Sequence, residues 1–144
     1  MIRFLNTKVL CNVFKDIEID KINQLFDEHF PLKRDVNIVF VKEEKIRELN
    51  KEYRSKNEVT DVLSFNIDSD TILGEIYVCP EYVINNIEKK KFKEEIIRLL
   101  IHGILHLQGL EHKREFDEVD YKEEPMYIKQ EEILNKFLRE MIQK

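Results

Sequence analysis

A chain of 144 residues with 42% hydrophobic content holds enough apolar material for one packed domain over residues 1–144 and is too short for two ordinary ones. Two cysteines with no C-x-x-C pair, Cys11 and Cys79, offer neither a disulfide framework nor a zinc ribbon; with no apolar run long enough for a bilayer and no secretion signal, they point to a reduced, cytoplasmic protein without membrane partners. A formal charge of −5 argues against nonspecific attraction to nucleic acid, so any such contact must rest on local clusters of Lys and Arg.

Taken in chain order, residues 2–5 read as a first strand. Asp20 is expected to cap a helix that runs to His29 and ends before Pro31. Residues 36–41, β-branched and apolar, form a second strand. Residues 43–53 carry Ile46, Leu49 and Tyr53 at helical spacing, which puts Arg54 at or just past a helix C-terminus. Residues 59–67 and 71–78 read as strands joined through the polar turn Asp68-Ser69-Asp70, hence a hairpin. Pro80 opens a short helix at its favoured first position. Residues 94–108 form a helix that is apolar nearly all round (Ile96, Ile97, Leu99, Leu100, Ile101, Ile104, Leu105, Leu107) and is therefore expected to be buried. Residues 125–142 make a final amphipathic helix with Ile133, Leu134, Phe137, Leu138 and Met141 inward. Helices interspersed with a mixed four-stranded sheet give an α/β or α+β architecture, without internal repeats or linkers.

Three of the four histidines fall within eleven residues, in His102-Gly103-Ile104-Leu105-His106-Leu107-Gln108-Gly109-Leu110-Glu111-His112. Residues four apart share a helix face, so His102 and His106 direct two imidazoles at one point. Gly109 can take the left-handed conformation that ends a helix, letting His112 arrive from the side. Three neutral imidazoles leave one position of a tetrahedral site for water or substrate, the mark of catalytic rather than structural zinc. One histidine alone is usually a hydrogen-bonded core residue; several on one buried face require a common partner. His29 has no such company and reads as structural or exposed. The spacing H-x-x-x-H-x-x-G-x-x-H also matches the metzincin peptidases, but there a glutamate follows the first histidine as general base. Here that position is Gly103, and Glu111, beyond the turn, is the only substitute nearby.

Read whole, HGILHLQGLEH resembles the signature of the YbeY-type endoribonuclease family of bacterial rRNA maturation factors, H-G-x-L-H-L-x-G-[YF]-D-H. Two further stretches are similar to the same family: Leu49-Asn50-Lys51-Glu52-Tyr53-Arg54, and Thr60-Asp61-Val62-Leu63-Ser64-Phe65 followed by Leu73-Gly74-Glu75-Ile76. Leu110 replaces an aromatic residue, and Glu111 and Glu75 stand where the family commonly has Asp. The resemblance implies an α+β fold, a mixed four-stranded sheet packed with about five helices, with a zincin-like metal-binding helix against the sheet.

It also implies a metal-dependent, single-strand-specific endoribonuclease acting in rRNA maturation and ribosome quality control. His102, His106 and His112 are the expected ligands of one zinc or other divalent ion, and Arg54 and His112 the expected catalytic residues. The Arg54 guanidinium can grip two phosphate oxygens and stays charged at any working pH. Zinc is favoured by all-imidazole ligation, and would acidify its bound water and polarise a phosphate oxygen. Lys113 and Arg114, next to the third ligand, are candidates for flanking phosphates. The runs Lys89-Lys90-Lys91 and Lys93 read as a solvated face, and Thr60 and Ser64 as supports for backbone groups or a ligand. Single-stranded or ribosomal RNA, with ribosomal proteins, are the implied partners. The competing readings are a metzincin-like metallopeptidase, or a non-catalytic ribosome-assembly factor whose zinc pins the helix to the following loop.

Overall fold

The computed structural model describes residues 1–10, 14–67, 69–86, 88, 91–109 and 125–142. In chain order these form β1 (Ile2–Leu5), a 3-10 turn (Thr7–Leu10), α1 (Asp16–His29), β2 (Asp35–Phe40), α2 (Glu43–Arg54), β3 (Val62–Asn66), β4 (Ile72–Val78), α3 (Pro80–Asn86), α4 (Phe92–Leu107) and α5 (Pro125–Ile142). The sheet runs β1-β2-β4-β3, with β1, β2 and β4 parallel and β3 antiparallel to β4. This is the mixed α+β sheet the sequence implied, and the hairpin pairs β3 with β4 as expected.

Strand alternation divides the molecule into layers. Val36, Ile38 and Phe40 on β2, and Ile76 and Val78 on β4, bury one face of the sheet against α1, α4 and α5, in a core that includes Phe26, Ile97, Leu100, Ile104, Leu134 and Phe137. The alternate residues, Val39, Leu63, Phe65 and Tyr77, face a smaller cluster under α2 that includes Ile46, Leu49 and Cys79. A period of two along a strand puts neighbours on opposite faces, so α2 and α4 are separated by the sheet. Burial raises the pKa of the Cys79 thiol, which keeps it protonated and inert.

Two element starts differ by three residues or more from the sequence expectation. The first helix begins at Asp16 rather than at Asp20, because Glu18 reaches back to accept the Lys15 backbone N–H at 3.0 Å, a capping contact three residues into the helix. The third strand begins at Val62 rather than at residue 59: the Glu58 carbonyl accepts from the Asn50 side-chain amide, which ties the approaching chain to α2, and pairing toward β4 ends with the Asp61 carbonyl accepting the Cys79 N–H.

The helices on the large core are tied by charge at their rims. His29 meets Glu140 at 3.0 Å and stacks near Phe137, joining α1 to α5 in the structural role expected for it. Lys93 donates to the other oxygen of Glu18 at 2.6 Å, joining α4 to α1. The Lys93 hydrogen bond, then that from the Lys15 backbone, hold the Glu18 carboxyl below its ordinary pKa, outweighing burial. A depressed carboxylate stabilises the fold above the unfolded-state pKa and loses that contribution as pH falls through the folded value. Unfolding free energies of the wild type and Glu18→Gln should therefore differ near neutral pH, by up to about 1 kcal/mol for a partly exposed pair, and converge in acid. A difference that persists undiminished below the carboxylate range would mean that the charge is not what ties these helices.

Candidate metal centre

Helix α4 is apolar on most of its circumference, and the exception is a half-buried stripe of Glu95, Arg98, His102 and His106 at spacings of three and four. The helical repeat thus brings the two histidines together, with ring centroids 5.6 Å apart and planes inclined at 67°. The helix ends as the sequence implied. Gln108 is its C-cap, the Gly109 N–H bonds back to the His106 carbonyl, and Gly109 adopts φ of +89°, a left-handed conformation that favours glycine.

The depth at which this helix sits is set by two glycines. A Cβ on Gly103 would lie 2.9 Å from Ile76 Cδ1 and 3.2 Å from Ser64 Oγ, so the helix backbone rests almost on the sheet. A Cβ on Gly74 would meet the Phe65 carbonyl oxygen at 2.5 Å and Leu107 Cδ2 at 2.6 Å. The Asn66 side-chain amide then donates to the Leu107 carbonyl at 3.1 Å, satisfying one of the open carbonyls at the helix end. His102 and His106 are therefore carried on a rod held from below by β3 and β4.

From the other side the stripe meets α5. Gln130 is 6% exposed, and its Oε1 lies 2.8 Å from His102 Nδ1. Its amide cannot be turned round, because Nε2 donates to the Glu131 carboxylate at 3.0 Å. Glu131 is in turn gripped by Arg98 through both carboxylate oxygens, at 3.0 and 3.1 Å, and Arg98 also donates to Glu95 at 2.6 Å. Burial works against the charge on Glu131, but the Arg98 and Gln130 hydrogen bonds together outweigh it and leave its pKa below the ordinary value. With Gln130 Oε1 able only to accept, the proton on a neutral His102 sits on Nδ1 and the lone pair on Nε2. This is the tautomer a metal-ligating histidine takes when its other nitrogen is held by a hydrogen bond. The donor chemistry thus fits a divalent cation, which needs neutral imidazole nitrogens at about 2 Å. Among the described residues, His102 and His106 are the part of the expected ligand set that is seen. His112, together with Glu111, Lys113 and Arg114, lies outside the described residues, as do Lys89 and Lys90.

Arg54 is the last residue of α2, exposed, with Ser55 turning the chain at φ of +57° behind it. Its neighbour Tyr53 packs on Phe65 at 5.0 Å, so the end of α2 lies over the second half of β3. The same half of β3 holds the end of α4 from the opposite face, through Ser64 and Asn66. The histidines are joined directly, and Arg54 is joined to them through this edge strand. Asn50, buried one turn earlier, fixes the approach: its side-chain amide bonds the Glu58 carbonyl, and its own carbonyl accepts from Ser55 and Lys56. Thr60 bonds its neighbour Asp61 at 3.4 Å. Glu75, by strand alternation, faces away from α4 and accepts from the Tyr77 hydroxyl, whose pKa is pushed up to about 12 by burial and by that carboxylate.

Sequence reasoning passed over Gln130, Glu131, Arg98 and Asn66. The available signal was a polar residue in an apolar stripe: Gln130 lies between Met126, Leu134 and Phe137, all buried on the inner side of α5.

A mixed sheet that carries a deeply seated helix with two adjacent imidazoles on one face defines an α+β protein of this class. The chain belongs to the family described as Endoribonuclease YbeY, whose profile matches residues 6–138. It is similar to the Endoribonuclease YbeY of Thermotoga petrophila, 36% identical over 132 residues that cover 90% of this chain and 84% of that one. The Thermotoga maritima relative of the same name is 38% identical over 136 residues, with the same coverage of each chain. A solution structure of a Thermotoga maritima protein superposes with a TM-score of 0.62 at 34% identity, covering 97% of this chain and 91% of that one.

Proposed function

We propose that this protein is a metal-dependent, single-strand-specific endoribonuclease acting in rRNA maturation and ribosome quality control, in the cytoplasm. Family membership supports the activity. The observation that carries the metal centre is the His102–His106 pair, with His102 Nδ1 engaged by a fixed acceptor. His102, His106 and His112 hold one ion, zinc before other divalent metals given their imidazole character. A cation so held supplies Lewis acidity toward a phosphate oxygen and makes nearby water a better nucleophile at neutral pH.

The chain's own residues supply the rest. The helix seated on Gly74 and Gly103 fixes where the imidazoles stand. Arg54 binds the phosphodiester through two parallel N–H donors and offsets charge that builds on phosphorus. His112 completes the ligand set and carries the remaining catalytic assignment. Ribosomal RNA is the substrate class, and ribosomal proteins are its companions.

Two features weigh against the other readings. Gly103, where a metzincin peptidase carries its base, is pressed against Ile76 and has no room for a carboxylate. The apolar contacts of α4 with the large core are extensive, which supports a helix seated by its packing rather than by an ion. Metal removal should accordingly leave the circular dichroism spectrum and cooperative unfolding in place while cleavage of single-stranded ribosomal RNA falls to background, and zinc should restore it. Unfolding on chelation would instead support a purely structural ion; cleavage that survives full metal removal would overturn the proposal.

A further inference from the structure

We propose that Gln130 is a positioning residue for the metal: held in one orientation by the Glu131–Arg98 pair, it fixes His102 as the Nδ1–H tautomer and aims Nε2 at the ion. The inference rests on the metal centre proposed above and deepens it. Three observations carry it. Gln130 is one of two polar or charged side chains among the described residues that are buried to this degree, and it stands at a core position of α5 where an apolar residue would serve packing better. Both ends of its amide are engaged, Oε1 with His102 at 2.8 Å and Nε2 with Glu131 at 3.0 Å, so its orientation carries information. The clamp that sets this orientation is itself closed, since Arg98 returns from α4 to grip both oxygens of Glu131. The path thus leaves α4 at His102, crosses to α5, and comes back to α4 one helical turn earlier. A buried amide needed only for its own satisfaction has no use for a two-residue charge clamp behind it.

Hydrogen bonds of this kind fix ring orientation and raise ligand basicity, and their loss typically costs about 10- to 100-fold in metal affinity. Zinc affinity is read by competition with a chromophoric chelator on the full chain, and the His102 tautomer by ring-nitrogen NMR shifts in the metal-free protein. Gln130→Leu, which removes the acceptor at similar volume, should weaken zinc binding by about 10- to 100-fold and give a mixture of tautomers. The double variant Gln130→Glu with Glu131→Gln retains an acceptor for Nδ1–H and an amide donor between the two side chains, without setting two carboxylates against each other at 3.0 Å, and should keep affinity within a few-fold of wild type. Glu131→Ala frees the amide and should weaken binding in the same direction as Gln130→Leu but less. If Gln130→Leu does not fold, the contrast between that double variant and Glu131→Ala decides the question. Equal zinc affinity in wild type, Gln130→Leu and Glu131→Ala, or an unchanged tautomer in the variants that fold, overturns the positioning role and leaves the metal centre standing. Absence of zinc uptake by the wild type overturns both.

Discussion

Replacing Arg54 by glutamate is expected to abolish RNA cleavage while leaving metal content and fold unchanged; replacing His106 by alanine is expected to abolish both cleavage and metal binding. The separation follows from where the two residues sit. His106 is half-buried on α4 beside His102, and its loss removes a ligand from the pair. Arg54 is an exposed residue on the last turn of α2, beyond the buried contacts made by Ile46, Leu49 and Asn50. Reversing its charge there costs the fold only the favourable interaction of a cation with a helix C-terminus, about 0.3–1 kcal/mol. Loss of one donor aimed at developing charge typically lowers turnover by about 10²- to 10³-fold, and a carboxylate facing the phosphate repels it as well. Arg54→Lys should recover part of the activity, because it restores charge without the planar fork. The measurement is metal per chain, unfolding midpoint and cleavage of unstructured ribosomal RNA for the four proteins side by side. Arg54→Glu cleaving at the wild-type rate would remove Arg54 from the mechanism, and comparable cleavage by all four would expose a contaminating nuclease.

Gly103→Glu, which writes a metzincin-like sequence into the helix, is expected to unfold the protein rather than to create a peptidase. The new Cβ would stand 2.9 Å from Ile76 Cδ1, 3.1 Å from Ile76 Cγ2 and 3.2 Å from Ser64 Oγ, with the carboxylate still to be placed in an apolar layer. Overpacking of this kind costs about 1–3 kcal/mol, and a buried unpaired carboxylate adds several more or remains protonated. The sum is comparable to the whole stability of a small protein, about 5–15 kcal/mol. Gly103→Ala is the informative partner: its gain of about 1 kcal/mol in helix propensity opposes the same clash without the charge, so its net effect should lie between neutral and about 2 kcal/mol destabilising. Denaturant midpoints for both variants, with a peptidase assay on any soluble Gly103→Glu, decide the matter. A Gly103→Glu protein as stable as wild type would mean that α4 stands off the sheet farther than described, and would reopen the peptidase reading.

Most of the elements were legible in the sequence because their patterns are local. Periodicity gave α2, α4 and α5, a β-branched run gave β2 and the polar turn at residues 68–70 marked the hairpin of β3 and β4, since side-chain repeats and turn residues are local signals. The errors came at two element starts. Glu18 started α1 early by bonding back to Lys15, a local capping signal that the apolar pattern hid, while Lys93 holds it from a distant helix; Asn50 on α2 ties down Glu58, so the chain reaches the β3 ladder only at Val62.

The same division runs through the site. By itself the sequence determined that His102 and His106 share a helix face, that Gly109 ends that helix in a left-handed turn, and that Arg54 closes α2, because the geometry of a helix fixes what residues three and four apart can do. Only the tertiary structure decided that Gly103 and Gly74 serve close contact between helix and sheet, that Arg54 and the histidines approach β3 from opposite faces, and that Gln130 meets His102 at Nδ1. Those are facts about elements distant in the chain, brought together by burial of their apolar sides, and burial is decided by the whole core rather than by any one segment.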